Sequence, residues 1–231
     1  MSAIVHLNAR TFVLAALTST LLASLICSSS IRYGHADVPI AATADEIQPL
    51  GIGDPAPHFV VETVDGEAFD FEPRELERPV ILISFRGGWC PHCNMHLSEL
   101  RHALPEIRDM GIDVLFLSGD RSELLFDSLS REAQEDIDGL DYTIVSDANA
   151  QAAIALGIAF KASDRTIERR HAKGQDIAKS SMERHGVLPV PAVFAIDRNG
   201  TIAFAYANPD YAIRLPADEL VAVASKLVSA D

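Results

Sequence analysis

The sequence contains few cysteines and few cations, and each shortage excludes a class of protein. Only Cys27, Cys90 and Cys93 are cysteine among 231 residues, which excludes a framework of several structural disulfides. Lysine and arginine number 19 against 33 aspartates and glutamates, and the resulting net charge of −14 argues against nucleic acid as a partner. No basic or aromatic pattern indicates an organic cofactor, so we expect none.

Long apolar runs are also scarce, and the run near the N-terminus is short. Residues 11–26 (TFVLAALTSTLLASLI) are apolar or small throughout and follow Arg10. A membrane span needs about 20 residues, whereas this pattern is typical of a signal peptide. Small residues at Gly34 and Ala36 predict cleavage after Ala36, with residues 1–36 as the signal peptide. The protein would then be exported to a periplasmic or extracytoplasmic space. The alternative is an uncleaved anchor, which alone would give membrane contact.

Removal of this leader changes the number of cysteines. Cys27 leaves with it, and the 17 basic and 33 acidic residues that remain give a net charge of −16. In an oxidising compartment, the two cysteines of the remaining C-x-x-C pair can form disulfides only with each other or with other molecules. We expect residues 37–52 to form a flexible N-terminal segment and residues 53–231 to form the catalytic domain.

The rest of the chain predicts alternating strands and helices. Residues 80–85 (VILISF) are a nearly continuous aliphatic run, typical of a parallel strand covered on both faces. Two further features predict the start of helices, an apolar stripe after Pro91 and a cap formed by Asp120 with Glu123. The stripe consists of Leu97, Leu100, Leu104 and Ile107.

The sequence near each end of the domain predicts a hairpin. Residues 59–61 and 68–71 flank an Asp-Gly pair, and residues 193–196 and 202–206 flank an Asn-Gly pair. A strand at residues 112–117, a second at 143–145 and a helix at 148–156 lie between them, and a closing helix is predicted over residues 215–228. Parallel strands in the middle with hairpins at the margins predict a three-layer α/β/α sandwich around a mixed central sheet.

The segment FRGGWCPHC, residues 85–93, places two cysteines where the predicted strand meets the predicted helix. Unpaired N–H groups and the helix dipole favour a thiolate at Cys90, so we expect its pKa to fall. Pro91 suits the first helical turn, and His92 adds positive charge nearby. Three residues along a helix advance about 4.5 Å, within the reach of a disulfide. We therefore predict Cys90 as the exposed attacking thiolate and Cys93 as the resolving cysteine.

Trp89 precedes the pair and is expected to flank the reactive sulfur with a flat apolar surface. The order of strand, W-C-x-x-C and helix resembles the thioredoxin-fold oxidoreductases, and the central Pro-His resembles their strongly oxidising periplasmic members. Val190 and Pro191, before another predicted strand, resemble the cis-proline loop of that fold. The resemblance implies that this loop faces the dithiol and that backbone groups at Val190 bind a substrate strand.

A second resemblance covers roughly residues 51–229. The frame from residues 53–57 (GDPAP) to residues 196–200 (IDRNG) is similar to peroxiredoxins of the AhpC/TSA-like branch. This resemblance assigns the peroxide-attacking role to Cys93. It places Cys90 where the family has an activating threonine, and Pro191 where the family has an arginine that polarises peroxide. Without these two donors, charge on the departing peroxide oxygen loses stabilisation of a few kcal/mol for each donor. Arg86 would make up part of that loss, so the resemblance implies a weakened peroxidase activity.

These observations predict a thioredoxin-like, peroxiredoxin-like protein that carries a CPHC dithiol. We expect a thiol-disulfide oxidoreductase acting on protein or small-molecule thiols and disulfides. The alternative is a thiol-dependent peroxidase with Cys93 as the peroxide-attacking cysteine, and both activities use the same pair.

A metal carrier is the competing hypothesis from a different class of protein. Cys90, Cys93 and His96 keep three-residue spacings, and Met95 and His102 lie close by. Sulfur and imidazole suit copper(I) or zinc, but a closed zinc site needs four converging ligands, and on one helix these side chains point in different directions. We therefore expect no functional metal site and expect both histidines on the helix surface.

Two further stretches carry open alternatives. Residues 161–185 hold seven basic residues and four acids, and we interpret them as a solvated helix or loop or, alternatively, as a cover over the active site. Residues 208–214 (NPDYAIR) are interpreted as a turn. The alternative there is that Tyr211 or Arg214 reaches the site, since the stretch also resembles peroxiredoxin-like chains.

Overall fold

The computed structural model describes residues 39–140, 142–174 and 181–229. The predicted signal peptide, residues 1–36, lies outside the described residues. None of the helices in these three ranges combines the length and the hydropathy of a membrane span.

A mixed sheet of seven strands forms the centre of the domain. Its spatial order is β2, β1, β5, β4, β3, β8, β9. These strands are β1 (Phe59–Glu62), β2 (Ala68–Phe71), β3 (Val80–Phe85), β4 (Asp113–Ser118), β5 (Thr143–Ser146), β8 (Ala192–Ile196) and β9 (Ile202–Ala207). β3, β4 and β5 are parallel, whereas β1 runs antiparallel to β5 and β8 antiparallel to β3. Strands β6 (Ala159–Lys161) and β7 (Val187–Pro189) form a separate antiparallel pair.

Within the described residues, seven α-helices connect or flank these strands. They are α1 (Pro91–Leu100), α2 (Ala103–Asp109), α3 (Arg131–Ile137), α4 (Gln151–Ala155), α5 (Asp164–Ala172), α6 (Ser181–His185) and α7 (Ala217–Ser229). Short 3-10 turns occur at Ala44–Glu46, Pro73–Glu75 and Ser122–Leu124.

Two large apolar clusters, one on each face of the sheet, form most of the core in the described part of the chain. Successive side chains of a strand point to opposite faces, so Ile81 and Ile83 of β3 pack with residues of α1, α2 and α7. Val80 and Leu82 pack on the other face with residues of β1, β2 and α4. All six residues of β3 are buried, as its aliphatic sequence predicts. The arrangement confirms the predicted three-layer sandwich around a mixed sheet.

Both predicted hairpins are present. β1 pairs antiparallel with β2, and β8 pairs antiparallel with β9. Gly66 turns the first hairpin with a φ of +78°, a backbone conformation that glycine adopts without steric cost.

Two predictions about helices need correction. The apolar stripe after Pro91 is buried as predicted, but it spans two helices, since α1 ends at Leu100 and α2 begins at Ala103. Asp120 does not cap a helix. Its carboxylate instead accepts a hydrogen bond from the backbone of Gly88, and the next α-helix begins only at Arg131, capped by the Ser130 side chain.

The predicted flexible N-terminal segment also needs correction for its described part, residues 39–52. Ala41 donates to Ala159 O at 3.1 Å, and Leu50 donates to Leu156 O at 3.1 Å. The side chains of Ile40, Ile47 and Leu50 pack against the second core cluster. These residues therefore belong to the folded domain, because backbone hydrogen bonds and apolar contacts hold them against it.

Candidate functional site

The dithiol lies at the junction of β3 and α1, as the sequence predicts. β3 ends at Phe85, Cys90 is the N-cap of α1 and Pro91 is its first residue. The backbone N–H groups of Cys93 and Asn94 donate to Cys90 O at 3.0 and 3.1 Å, which closes the first turn of the helix. Both cysteines therefore sit where the helix presents its positive end.

Two buried polar side chains fix the loop that carries the motif. Asp120 Oδ2 accepts from Gly88 N at 2.6 Å, and Asn94 Nδ2 donates to Gly88 O at 2.7 Å and to Cys90 O at 3.1 Å. Asn94 Oδ1 in turn accepts from Ser130 N at 2.7 Å, which ties α1 to the start of α3. The sequence pattern does not single out Asn94, and the spacing of Asp120 and Glu123 predicts a helix cap instead. Only the loop between strand and helix, with its unpaired backbone groups, could have indicated that such partners are needed.

Both thiols are free and buried, with exposed fractions of 1% each. The two side chains hydrogen-bond to each other, so they lie in contact. That hydrogen bond and burial raise the pKa of Cys90. Burial also tends to raise the pKa of Cys93, but the hydrogen bond from Cys90, the charge of Arg214 and the backbone N–H of Arg86 outweigh it and lower the pKa to about 6.

The prediction that Cys90 is exposed and acidic is therefore wrong. When two thiols share one proton, the negative charge goes to the sulfur with the stronger partners. The helix N-terminus serves both sulfurs, so it does not decide between them. Arg214 decides, because its Nη2 donates to Cys93 Sγ at 3.4 Å.

Arg214 comes from the stretch between β9 and α7, which we call the strap (residues 208–215). The strap is anchored where Asn208 N donates to Pro191 O at 3.0 Å and where His96 Nε2 donates to Leu215 O at 3.0 Å. The sequence predicts a turn for this stretch, with the alternative that Tyr211 or Arg214 reaches the site. The structure confirms that alternative.

Arg86 is a second buried cation at the site, 5% exposed. Burial lowers its pKa, while the nearby Cys93 and Cys90 raise it. Its guanidinium lies 4.9 Å from the centre of the Tyr211 ring, and its Nε donates to Pro189 O at 3.3 Å. Tyr211 therefore covers Arg86 from the strap, as cation–π stacking favours.

His92 and Trp89 occupy the two sides of the motif. The half-buried His92 ring meets Tyr211 edge to face, with centroids 5.5 Å apart. Trp89 is also half-buried, and the Arg170 guanidinium lies 4.9 Å from its ring centre. Arg170 belongs to α5, so the described part of the basic stretch 161–185 does reach the motif. Residues 175–180 of that stretch lie outside the described residues.

The loop at Pro191 differs from the role that its resemblance implied. Val190 is fully buried, and its N–H donates to Ile158 O at 3.0 Å. Pro191 is buried as well, and its carbonyl accepts from the strap residue Asn208. The N–H of Val190 is therefore already used within the domain, and the prediction that it binds a substrate strand needs correction.

The expectation that His96 lies on the helix surface is also wrong. His96 is 6% exposed, and burial, with a smaller contribution from the charge of Arg214, lowers its pKa to about 4. His102 is exposed, as predicted. Within the described ranges, no three Cys, His, Asp or Glu side chains are arranged to hold a metal ion. The imidazole of His96 binds the strap instead of joining a sulfur site.

Known proteins to which the chain is similar include thiol-disulfide oxidoreductases and peroxiredoxins. A profile of the AhpC/TSA family matches residues 52–205. The thiol-disulfide oxidoreductase ResA of Bacillus thuringiensis subsp. konkukian is 20% identical over 155 residues, which cover 67% of this chain and 69% of ResA. The peroxiredoxin Bcp of Escherichia coli K12 is 30% identical over 112 residues, which cover 48% of this chain and 67% of Bcp.

Solved structures agree on the fold. A peroxiredoxin-like protein from Aquifex aeolicus superposes with a TM-score of 0.58 at 20% identity, covering 78% of this chain and 89% of that one. The peroxidoxin BcpB of Mycobacterium tuberculosis gives a TM-score of 0.53 at 16% identity and covers 78% of this chain and 97% of that one.

Proposed function

The chain belongs to the AhpC/TSA family, and from that premise we propose that it is a thiol oxidoreductase whose Cys93 thiolate reduces a small peroxide and whose Cys90 then closes a disulfide. The observation that carries this proposal is the hydrogen bond from Arg214 Nη2 to Cys93 Sγ. It supports Cys93, rather than Cys90, as the sulfur that attacks.

The first step oxidises Cys93. Despite burial, the hydrogen bond from Cys90 and the charge of Arg214 lower the pKa of Cys93, so its thiolate is favoured near pH 7. The thiolate attacks one peroxide oxygen, an S–O bond forms and the O–O bond breaks. The departing oxygen takes a proton and leaves as water or an alcohol. Arg214 lies where it would stabilise charge on the departing oxygen, the kind of interaction that typically contributes about 3 kcal/mol.

The second step closes the ring between the two cysteines. Cys90 attacks the sulfenic acid on Cys93, an S–S bond forms and water leaves. The two side chains are already in contact in the reduced protein. Cys90 Sγ therefore needs only a small movement to attack the oxidised sulfur of Cys93. An external thiol must then reduce the disulfide, so thiol-disulfide exchange is the second half of the same cycle.

The burial of the site favours a small oxidant over a protein disulfide. Each cysteine is 1% exposed, Arg214 of the strap contacts Cys93, and Tyr211 of the strap covers Arg86. The N–H of Val190 is also used by Ile158. A small peroxide needs less room to reach the pair than a folded protein disulfide, which would need the strap to move.

Exchange with partner proteins is the second candidate function. It is favoured by the C-x-x-C spacing and by the similarity to ResA over 67% of this chain. In that case an opened strap would let a partner reach Cys90, and the pair would transfer its disulfide directly.

Cysteine variants separate the two functions. In a Cys27→Ser background, Cys90→Ser treated with hydrogen peroxide is expected to form a sulfenic acid on Cys93, which dimedone labels and peptide mass spectrometry locates. Cys93→Ser is expected to lose peroxide consumption. The matched control is Cys27→Ser alone, which keeps full activity.

Two results would overturn the first candidate. One is peroxide consumption by Cys93→Ser with the label on Cys90. The other is a Cys93→Ser variant that accumulates mixed disulfides with proteins through Cys90 while the Cys27→Ser protein leaves peroxide untouched. The second result would establish exchange as the main activity.

We also propose that the enzyme works outside the cytoplasm. Support comes from the apolar residues 11–26 and from the small residues before position 37. N-terminal sequencing of the secreted or periplasmic protein is expected to begin at Asp37. A full-length protein in the membrane fraction would favour the anchored alternative.

A further inference from the structure

Helix α5 (Asp164–Ala172) is unlike the other long helices of the domain, because none of its residues is buried. It begins with a cap in which Ser163 Oγ accepts from Thr166 N at 3.3 Å. Its apolar attachment is small, since Ile167 packs against the pair Met182 and Leu188. Most of its surface therefore faces solvent.

That surface is positively charged in a strongly acidic protein. Residues 161–174 contain five lysines and arginines and two acids, whereas the whole chain has a net charge of −14. Arg165, Arg169 and Lys173 are exposed. The helix dipole favours cations in the last turn, which accounts for the position of Arg169. It does not account for Arg165 in the first turn.

The basic surface lies beside the N-terminal cysteine. Arg170 of α5 stacks on Trp89 at 4.9 Å, and Trp89 directly precedes Cys90. A molecule that approaches Cys90 from the Trp89 side therefore meets α5.

The chemistry of disulfide cleavage directs a reductant to that sulfur. A thiolate preferentially attacks the sulfur whose partner is the better leaving group, and a lower pKa makes a better leaving group. Arg214 Nη2 lies 3.4 Å from Cys93 Sγ, where it stabilises Cys93 as the leaving thiolate, whereas the pKa of Cys90 is raised by its hydrogen bond to Cys93 and by burial. Cys93 should leave and Cys90 should receive the attack.

Building on the cycle proposed above, we propose that α5 is the docking surface for the reductant, a small anionic thiol that reaches the buried Cys90 and attacks its Sγ. The thiolate forms an S–S bond with Cys90, the Cys90–Cys93 bond breaks, and Cys93 leaves as a thiolate. A second thiolate attacks the reductant sulfur of the mixed disulfide, releases the oxidised reductant, and leaves Cys90 to take a proton from water. Two thiols thus supply the two electrons.

The test measures reduction of a preformed disulfide, prepared with diamide rather than peroxide. Trp89 is the single tryptophan of the chain, so its fluorescence follows reduction in a stopped-flow instrument. The second-order rate constants for reduction by mercaptosuccinate, 2-mercaptoethanol and cysteamine, which differ in charge, are each divided by the fraction of the thiol that is ionised and then compared. An acidic protein dithiol, such as a purified thioredoxin, forms a separate arm and distinguishes a protein source of the thiol from a small molecule.

Low salt is expected to favour mercaptosuccinate over 2-mercaptoethanol by about tenfold, and about 1 M salt should remove the preference because it shortens the Debye length to about 3 Å. Arg165→Gln/Arg169→Gln should reduce the preference about threefold. The matched control, Arg78→Gln/Lys226→Gln, removes the same charge from exposed positions elsewhere and should leave it unchanged.

The outcomes are separable. Equal rates for the three small thiols and no effect of Arg165→Gln/Arg169→Gln on the protein dithiol would overturn the docking surface alone. Salt-sensitive reduction by the protein dithiol only, weakened by the α5 variant, would overturn the small thiol as the occupant of this surface. Failure of diamide to link Cys90 to Cys93 would overturn the redox cycle as well.

Discussion

Arg214 Nη2 donates a hydrogen bond to Cys93 Sγ across 3.4 Å, although 121 positions separate the two residues in the chain. The contact joins the strap to the first turn of α1. It gives the second cysteine of the C-x-x-C pair a cationic partner from outside the motif. The relative acidity of the two thiols therefore depends on a residue that the motif does not contain.

Replacing Arg214 by glutamine is expected to raise the pKa of Cys93. An opposite charge at this range typically lowers a pKa by about one to three units, and because Arg214 is half-exposed we expect the lower end, about one unit. Alkylation by iodoacetamide as a function of pH measures the change. The rate of reaction with hydrogen peroxide at pH 7 should fall about tenfold.

Arg214→Lys is the matched control, since it keeps the charge and loses the planar donor group. We expect a pKa for Cys93 between the values of the wild type and Arg214→Gln. An unchanged alkylation profile in Arg214→Gln would show that Arg86 and the helix N-terminus suffice, and would remove the main support for Cys93 as the attacking sulfur.

Oxidation is expected to loosen the strap. In the disulfide, Cys93 carries no negative charge, so Arg214 loses its anionic partner. The anchors at both ends, Asn208 N to Pro191 O and His96 Nε2 to Leu215 O, each at 3.0 Å, remain, which should confine the opening to residues 210–214. Hydrogen–deuterium exchange of peptides from this region should be faster in the oxidised protein than in the reduced protein.

Arg214→Gln serves as the control for this prediction, because its strap has no charged contact to lose. The variant should exchange quickly in both redox states. Equal protection of the strap in the oxidised and reduced wild type would contradict a link between the charge of Cys93 and access to the site.

Local sequence features predicted the frame of the site well. The aliphatic run of β3, the Pro91 start of α1 and the glycine turns act between neighbours in the chain, so their patterns are visible in the sequence. The alternation of strands and helices, with hairpins at the margins, predicted the order of the layers. These features correctly placed the two cysteines at a strand-to-helix junction.

The acidity of the two thiols could not be read from the motif. Cys90 and Cys93 share the same helix terminus, and the difference between them arises from Arg214, which reaches the site only through tertiary packing. Asp120 shows the same limit, because its spacing to Glu123 suggested a helix cap while its actual partner, Gly88, lies 32 positions away. Polar contacts between residues far apart in the chain determine both the acidity of the two thiols and the partner of Asp120.

Gly88→Ala is expected to destabilise the domain and misplace the motif. A Cβ at Gly88 would overlap the backbone of Ser128, which cannot move as easily as a side-chain end. Overpacking of this kind costs about 3 kcal/mol when backbone must shift. Urea unfolding of the reduced protein measures the loss, and slower alkylation of Cys93 would report the displaced loop.

Gly111→Ala provides the comparison. Gly111 has a φ of +79° and open space around the added Cβ, so only backbone strain of about 1 kcal/mol is expected. Equal losses in the two variants would mean that contact with Ser128 does not constrain Gly88.

His96 should make the stability of the protein depend on pH in an acidic window. Burial lowers its pKa to about 4 from the ordinary 6.5, so between these values the unfolded chain binds a proton that the folded protein does not. Stability therefore rises with pH through this window, and it is lost as pH falls from 6.5 to about 4. The full loss is about 3 kcal/mol.

The measurement compares the free energy of unfolding of the wild type and His96→Gln at pH 7, 5.5 and 4. The advantage of the wild type should shrink by about 3 kcal/mol over this range. Asp147, whose pKa burial raises to about 7, titrates in the opposite sense, but it is present in both proteins and cancels in the difference. His102→Gln controls for the loss of an exposed imidazole. A constant difference between the wild type and His96→Gln would mean that His96 accepts a proton in the folded state, and that its hydrogen bond to Leu215 does not depend on a neutral ring.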